Sequence, residues 1–187
     1  AAVLLSACSS PKHDPMPLVK FTPSMEVTEV WSKGLSSAEG FLVPAVYDDM
    51  VFAAGGKTLT RLNARTGETE WSVSFNSPIT GGVGSDGYVT AVGLWDGNLE
   101  VVDAEGKVSW EKKLTTELAS PPVVSHGLVI ARTMDTRVSA FEASSGELQW
   151  TYQRSQPALT VRLPTRMLAH DNFLLVGQPN GLIVILD

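Results

Sequence analysis

Cysteine is nearly absent. Cys8 is the single cysteine among 187 residues, so no disulfide can form within the chain. Histidine is scarce too. His13, His126 and His170 show no metal-ligand spacing, and no second thiol stands by to complete a zinc set. Basic charge is in deficit: 14 Lys and Arg face 20 Asp and Glu, for a formal net charge of −6. No basic stripe runs through the sequence, which sets nucleic acid aside as a partner. No stretch joins helical spacing to helix caps. No apolar run reaches the roughly 20 residues that a membrane-crossing helix requires. No serine sits in a G-x-S-x-G elbow, and no other enzyme signature is found. The hydrophobic content of 43% suffices for a packed domain and excludes a disordered chain.

What is present is a period. Trp31, Trp71, Trp110 and Trp150 follow one another at 40, 39 and 40 residues. Three of them close a shared turn: LNARTGETEW (62–71), VDAEGKVSW (102–110) and FEASSGELQW (141–150). A period near 40 marks a propeller or solenoid. Within PAVYDDMVFAAGGKTLTRLNARTGETEWSVSF (44–75), short runs rich in Val, Thr, Phe and Trp alternate with Asp, Gly and Asn. Such runs read as antiparallel strands, and four per repeat make one blade of a β-propeller. PPVVS, LVIAR, RVSAFE and LQWTYQ (121–153) repeat the reading. The expected fold class is therefore all-β, a propeller of four-stranded antiparallel blades.

The turn has a physical logic. Asn63 and Asp103 can accept hydrogen bonds from amides two residues on, which starts a turn. Gly67, Gly106 and Gly146 can take the positive φ that closes a hairpin with a bulge. Each Trp then falls on the outer strand, where its ring can cover the joint between blades, burying roughly 150–250 Å². Two other motifs are set aside. Gly82-Val83-Gly84-Ser85-Asp86-Gly87 spells a dinucleotide fingerprint, but a strand (YVTAV) follows where a helix is needed. Its glycines are expected in the turn between the first two strands of a blade. Trp95-Asp96-Gly97 does not recur and is expected between second and third strands.

Four repeats are visible, and the last stops before its Gly and Trp. EVTEVWSKGL (26–35) reads as a fourth-type strand with no three partners before it. In a closed propeller such a strand completes the last blade and joins the two ends. The expectation is an open arc of about four blades, the N-terminal half of a propeller (26–187).

The N-terminus reads as an address. Leu5-Ser6-Ala7-Cys8 resembles the lipobox of bacterial lipoproteins, in which cleavage precedes an acylated Cys. Residues 1–7 are thus expected to be the remainder of a signal peptide. Residues 8–25, with Pro11, Pro15, Pro17 and Pro23, are expected to be a lipidated tether. Several acyl chains anchor stably where one does not. By the sorting rules of such lipoproteins, Ser9 implies the outer membrane.

The turn D/N-A-x-x-G-x-x-x-W at this period resembles the quinoprotein-type propeller repeat. Joined to the lipobox, it resembles the BamB family of outer-membrane β-barrel assembly lipoproteins. The likeness runs from Cys8 to the end, through LNARTGETEWSV, SPPVVSHGLVIARTMDTRVSAFEASSGELQWTYQ and PALTVRLPTR (157–166). It implies an eight-bladed propeller in the full family member and a non-catalytic scaffold without a cofactor. It also implies a periplasmic location on the outer membrane, and as partners BamA, the BAM complex and unfolded outer-membrane proteins.

The stretch 157–166 stands out without the likeness. From each Trp to the next second strand the separations are 19, 17 and 18 residues, and then 23 after Trp150. An extended loop carrying apolar residues and Arg suits a protein-binding hot spot. The resemblance assigns BamA contact to Leu159, Val161 and Arg162, with Val161 standing where the family commonly has Leu. Residues 158–163 also read as the first strand of their blade. Two other functions share the repeat: a quinone-dependent dehydrogenase, and a propeller lipoprotein binding another periplasmic partner. The dehydrogenase reading wants an adjacent Cys pair and a calcium loop, neither of which this sequence offers.

Overall fold

The computed structural model describes residues 16–36, 42–154, 165–178 and 180–187. Fifteen strands form four antiparallel sheets among them. The first blade is β1 (Ala45–Tyr47), β2 (Met50–Gly55), β3 (Thr58–Asn63) and β4 (Thr69–Ser74). The second is β5 (Ile79–Ser85), β6 (Thr90–Leu94), β7 (Asn98–Val102) and β8 (Val108–Lys113). The third is β9 (Val123–Ser125), β10 (Leu128–Arg132), β11 (Val138–Glu142) and β12 (Leu148–Tyr152). The fourth holds β13 (Leu168–His170), β14 (Phe173–Gly177) and β15 (Ile183–Leu186). Strands pair in chain order within every blade, the meander expected from the alternation of runs and turns.

First strands of successive blades adjoin: β1 meets β5, β5 meets β9, and β9 meets β13. They line the inner rim. No comparable contact joins β1 to β13 among the described residues, so the blades form an open arc. The apolar core lies between blades. Phe52 and Leu59 of the first pack on Val83, Val92 and Leu94 of the second. Leu99 and Val101 meet Val129 and Phe141, and Ile130 and Val138 meet Leu174 and Val176. A blade alone would leave these faces wet; stacking removes them from water at about 25 cal/mol per Å².

Two expectations are corrected. EVTEVWSKGL forms no strand. A strand exists by its ladder, and the four sheets of the described residues do not include this segment. Nor do all the glycines of the 82–87 run form a turn. Gly82 and Gly84 lie inside β5, and Gly87 alone of the three sits in the turn after it. The cause is crowding at the rim. A Cβ on Gly84 would overlap the Pro122 carbonyl, and one on Gly82 would lie 2.7 Å from Pro121 Cγ. The ladder between β5 and β6 is bulged between Ile79 and Val83, and Gly82 takes φ +78° there. Trp95-Asp96-Gly97 does connect β6 to β7, with the indole exposed.

Candidate functional site

The recurring turn builds a lock that repeats three times. Trp31 Nε1 donates to the Ala64 carbonyl at 2.9 Å, Trp71 to Ala104 at 2.9 Å, and Trp110 to Ala143 at 2.8 Å. Each indole reaches from one repeat into the turn of the next. Under each ring lies the turn glycine. A Cβ on Gly67, Gly106 or Gly146 would stand 2.7 Å from Cδ2 of Trp31, Trp71 or Trp110 respectively. The same glycines hold φ of +73°, +80° and +71°, a region that side chains disfavour. Glycine is thus required twice, by conformation and by contact.

The turns are shaped as their residues dictate. Asn63 Oδ1 accepts from the Arg65 and Thr66 amides, and Asp103 Oδ1 from Glu105 and Lys107. The third turn has Glu142 in that place, and there Ser145 Oγ accepts from the Glu147 amide. A bulge recurs at one position in each of the first three blades, at Arg61/Leu62, Val101/Val102 and Ala140/Phe141. Trp71 tilts against Phe52, and Trp110 against Phe141, each with centroids 6.1 Å apart. Arg61 Nη1 shares the Ala104 carbonyl with Trp71 at 3.0 Å.

Trp150 stands at the equivalent place on the third blade. Beside it opens a cavity of about 480 Å³, lined by Trp150, Tyr152, His126, Phe173 and Leu186.

Leu159, Val161 and Arg162 lie outside the described residues, as does Cys8. Among the described residues the first strand of the fourth blade is β13; residues 155–164, which include most of the stretch 157–166, lie outside them. Its flanks are held. The Arg154 carbonyl accepts from Thr136 Oγ1 at 3.3 Å, and Arg132 Nη1 donates to Thr165 Oγ1 at 2.7 Å. Met167 is buried in the core between the third and fourth blades. Arg132 is itself buried, and desolvation lowers its pKa.

A family model described as outer membrane protein assembly factor BamB matches residues 27–78 and 56–187. This chain belongs to the BamB family. BamB of Burkholderia pseudomallei (strain K96243) is 37% identical over 193 residues, covering 100% of this chain and 51% of the relative. BamB of Bordetella pertussis (strain Tohama I) is 32% identical over 190 residues, covering 98% and 49%. The chain spans about half the length of these curated relatives. The crystal structure of BamB from Moraxella catarrhalis superposes with a TM-score of 0.69 at 28% identity, covering 78% of this chain and 45% of that one. A quinohemoprotein alcohol dehydrogenase from Pseudomonas putida HK5 matches at 20% identity and a TM-score of 0.50, a likeness of fold alone.

In this member of the BamB family, His126 has a conformational explanation. His126 takes φ +52°, and Asp48 and Asp171 take +48° and +49° at the matching turns of other blades. Asp and His are among the side chains that tolerate this region best. His170 ends β13 beside Asp171, at 3.7 Å. Among the described residues no group of His, Cys, Asp and Glu is arranged to hold a metal.

Sequence reasoning missed one charged site. Glu100 of β7 lies directly across from Glu111 of β8. The matching positions hold hydroxyl pairs, Thr60 with Ser72 at 3.1 Å and Ser139 with Thr151 at 3.3 Å. Burial, and then the Glu111 and Asp96 charges, push the Glu100 carboxyl up from 4.5 to about 7. Register exposes this pairing; 11 residues separate the two glutamates in the chain.

Proposed function

We propose that this chain is a non-catalytic scaffold of outer-membrane β-barrel assembly. A lipid on Cys8 holds it to the periplasmic face of the outer membrane. Residues 8–25 tether the propeller, and Leu159, Val161 and Arg162 bind BamA within the BAM complex. The observation that carries the reading is the match of the BamB family model, which extends to Asp187 from residue 27. The joints support it physically. The first blade is pinned to the second, and the second to the third, by an indole hydrogen bond and a dry apolar layer, giving a rigid frame on which a loop can present a fixed contact. Thr165 and Met167 anchor the C-terminal flank of that loop to the third blade. Unfolded barrel proteins would be held by exposed strand edges through β-augmentation.

The test is a pull-down of the lipoprotein from detergent-solubilised outer membranes. Wild type is compared with Leu159→Ala/Arg162→Ala, after circular dichroism verifies that both are folded. BamA should accompany the wild type and be lost from the variant. BamA retained by both would move the contact to other loops. BamA missing even from wild type would sink the assembly reading in favour of another periplasmic partner. Crosslinks from nascent barrel proteins to BamA alone, never to this chain, would remove the client-holding role. A quinone in the purified protein, seen by absorbance or mass, would revive the dehydrogenase alternative.

A further inference from the structure

One buried side chain breaks the repeat. Ladder partners place Ala54, Gly93, Arg132 and Gly177 at the same point of their blades, opposite Leu59, Leu99, Val138 and Ile183. Three of the four are small. A Cβ on Gly93 would overlap Leu118 of the next repeat, so an apolar side chain closes that joint. The remaining one is an arginine, 4% exposed. It lies two residues past Ile130, which packs on the fourth blade, and so points into the same joint, where its Nη1 donates to Thr165. Its Nε has no acceptor among the described residues. No described Asp or Glu forms an ion pair with the guanidinium, and burial lowers its pKa. Taking a cation out of water is costly unless an anion and hydrogen bonds compensate it. A second unpaired donor comes from the other side of the joint. Gln178 continues the alternation of Leu174 and Val176, which pack on the third blade, and its buried Nε2 has no described partner either. Thr165 links the two. It accepts from Arg132 and donates to the carbonyl of Gly177, the neighbour of Gln178, at 3.4 Å.

Two buried donors and a cation call for an acceptor with negative charge and several lone pairs, and a carboxylate is such a group. The surroundings specify its source. From residue 148 to residue 170 the sequence has no Asp or Glu, while Arg154, Arg162 and Arg166 lie in it, a local excess of positive charge in a chain of net charge −6. Arg154 and Arg166 are exposed and Thr165 is partly exposed, so the guanidinium of Arg132 lies one side chain below a cationic surface. We propose that Arg132, with Thr165 and Gln178, receives an Asp or Glu side chain of BamA, an inference that rests on BamA binding by the stretch 157–166. The surface arginines draw an acidic patch of the partner in. Arg132 then fixes one carboxylate through charge-assisted hydrogen bonds.

The test measures the affinity of the full-length protein for detergent-purified BamA by surface plasmon resonance. Arg132→Met should weaken binding by about 30-fold or more, the effect of removing one member of a buried charged pair. It should be no less stable to urea than wild type, because an apolar side chain replaces an uncompensated cation. Thr165→Val removes the same hydrogen bond but keeps the cation, and should retain most of the affinity. Equal losses in Arg132→Met and Thr165→Val would mean that Arg132 only holds the flank of the loop, and would overturn the proposal. So would an Arg132→Met protein that binds as wild type does while Leu159→Ala/Arg162→Ala fails to bind; the BamA contact of the loop survives that result. Wild type that binds no BamA overturns both. A second measurement needs no partner protein. With isotope-labelled arginine, sodium acetate should shift the Nε–H magnetic resonance of Arg132, assigned by its loss in Arg132→Lys. Sodium chloride at equal ionic strength should not. A resonance indifferent to acetate overturns the carboxylate site.

Discussion

Gly106→Ala should loosen the joint between the first two blades by about 3–4 kcal/mol. The figure is built from three pieces. An L-residue at φ +80° costs about 1–2 kcal/mol over glycine. The new Cβ would lie 2.7 Å from Trp71 Cδ2, and the obstacle is a ring held on both faces, so the indole must move. Moving it breaks the 2.9 Å bond from Nε1 to Ala104, worth about 1 kcal/mol. It also disturbs the tilted contact with Phe52, worth about 0.5–1.5 kcal/mol. Urea denaturation followed by far-ultraviolet circular dichroism measures the sum. Repeating it on a Trp71→Ala background separates the pieces. Without the indole, Gly106→Ala should cost the conformational part alone, so the two changes should couple by about 2 kcal/mol. Coupling near zero, or a Gly106→Ala protein within about 0.5 kcal/mol of wild type, would refute the argument that glycine is required by contact.

Other outcomes follow from the same geometry. Glu100→Gln should stabilise the protein by about 1–3 kcal/mol at pH 8 and by nothing near pH 4. The folded carboxyl titrates near 7 and not 4.5, so the cost of ionising it is absent below 4.5, grows between those values and is complete above 7; melting temperatures across that range check the convergence. Gly84→Ala, whose Cβ would overlap the Pro122 carbonyl, should cost more than about 3 kcal/mol in urea denaturation. Gly127→Ala has open space around it and φ +73°, and should cost only about 1–2 kcal/mol. Arg132→Met removes the 2.7 Å bond to Thr165 and should speed amide hydrogen exchange over 165–170; unchanged exchange would mean that the loop's flank is held elsewhere.

The blades were legible because their signal is local and repeated. Alternation of β-rich runs with Asn, Asp and Gly marks strand ends within a few residues, and β1 to β4 and β9 to β12 fall where those runs lie. The Trp period reports the blade repeat directly, since every blade needs the same cover. The positive φ at Gly67, Gly106 and Gly146 was readable from turn chemistry. Their second duty was not, because the ring above each glycine comes from the preceding blade.

The rest was decided by tertiary neighbours. Gly82 and Gly84 have a turn-like composition but lie in a strand, because Pro121 and Pro122 of the next blade's approach press on that strand. Residues 26–35 have the composition of a strand and form none, because a ladder needs a partner that composition cannot supply. Glu100 and Glu111 are ordinary solvated glutamates in the sequence. Only the pairing of β7 with β8 sets them face to face and raises one carboxyl toward neutrality. The sequence alone determined the period, the strands and the turns, which arise from contacts between residues close in the chain. The tertiary structure decided which side chains press on one another across blades, because those contacts bridge about 33 residues in every lock and depend on how one blade stacks upon the next.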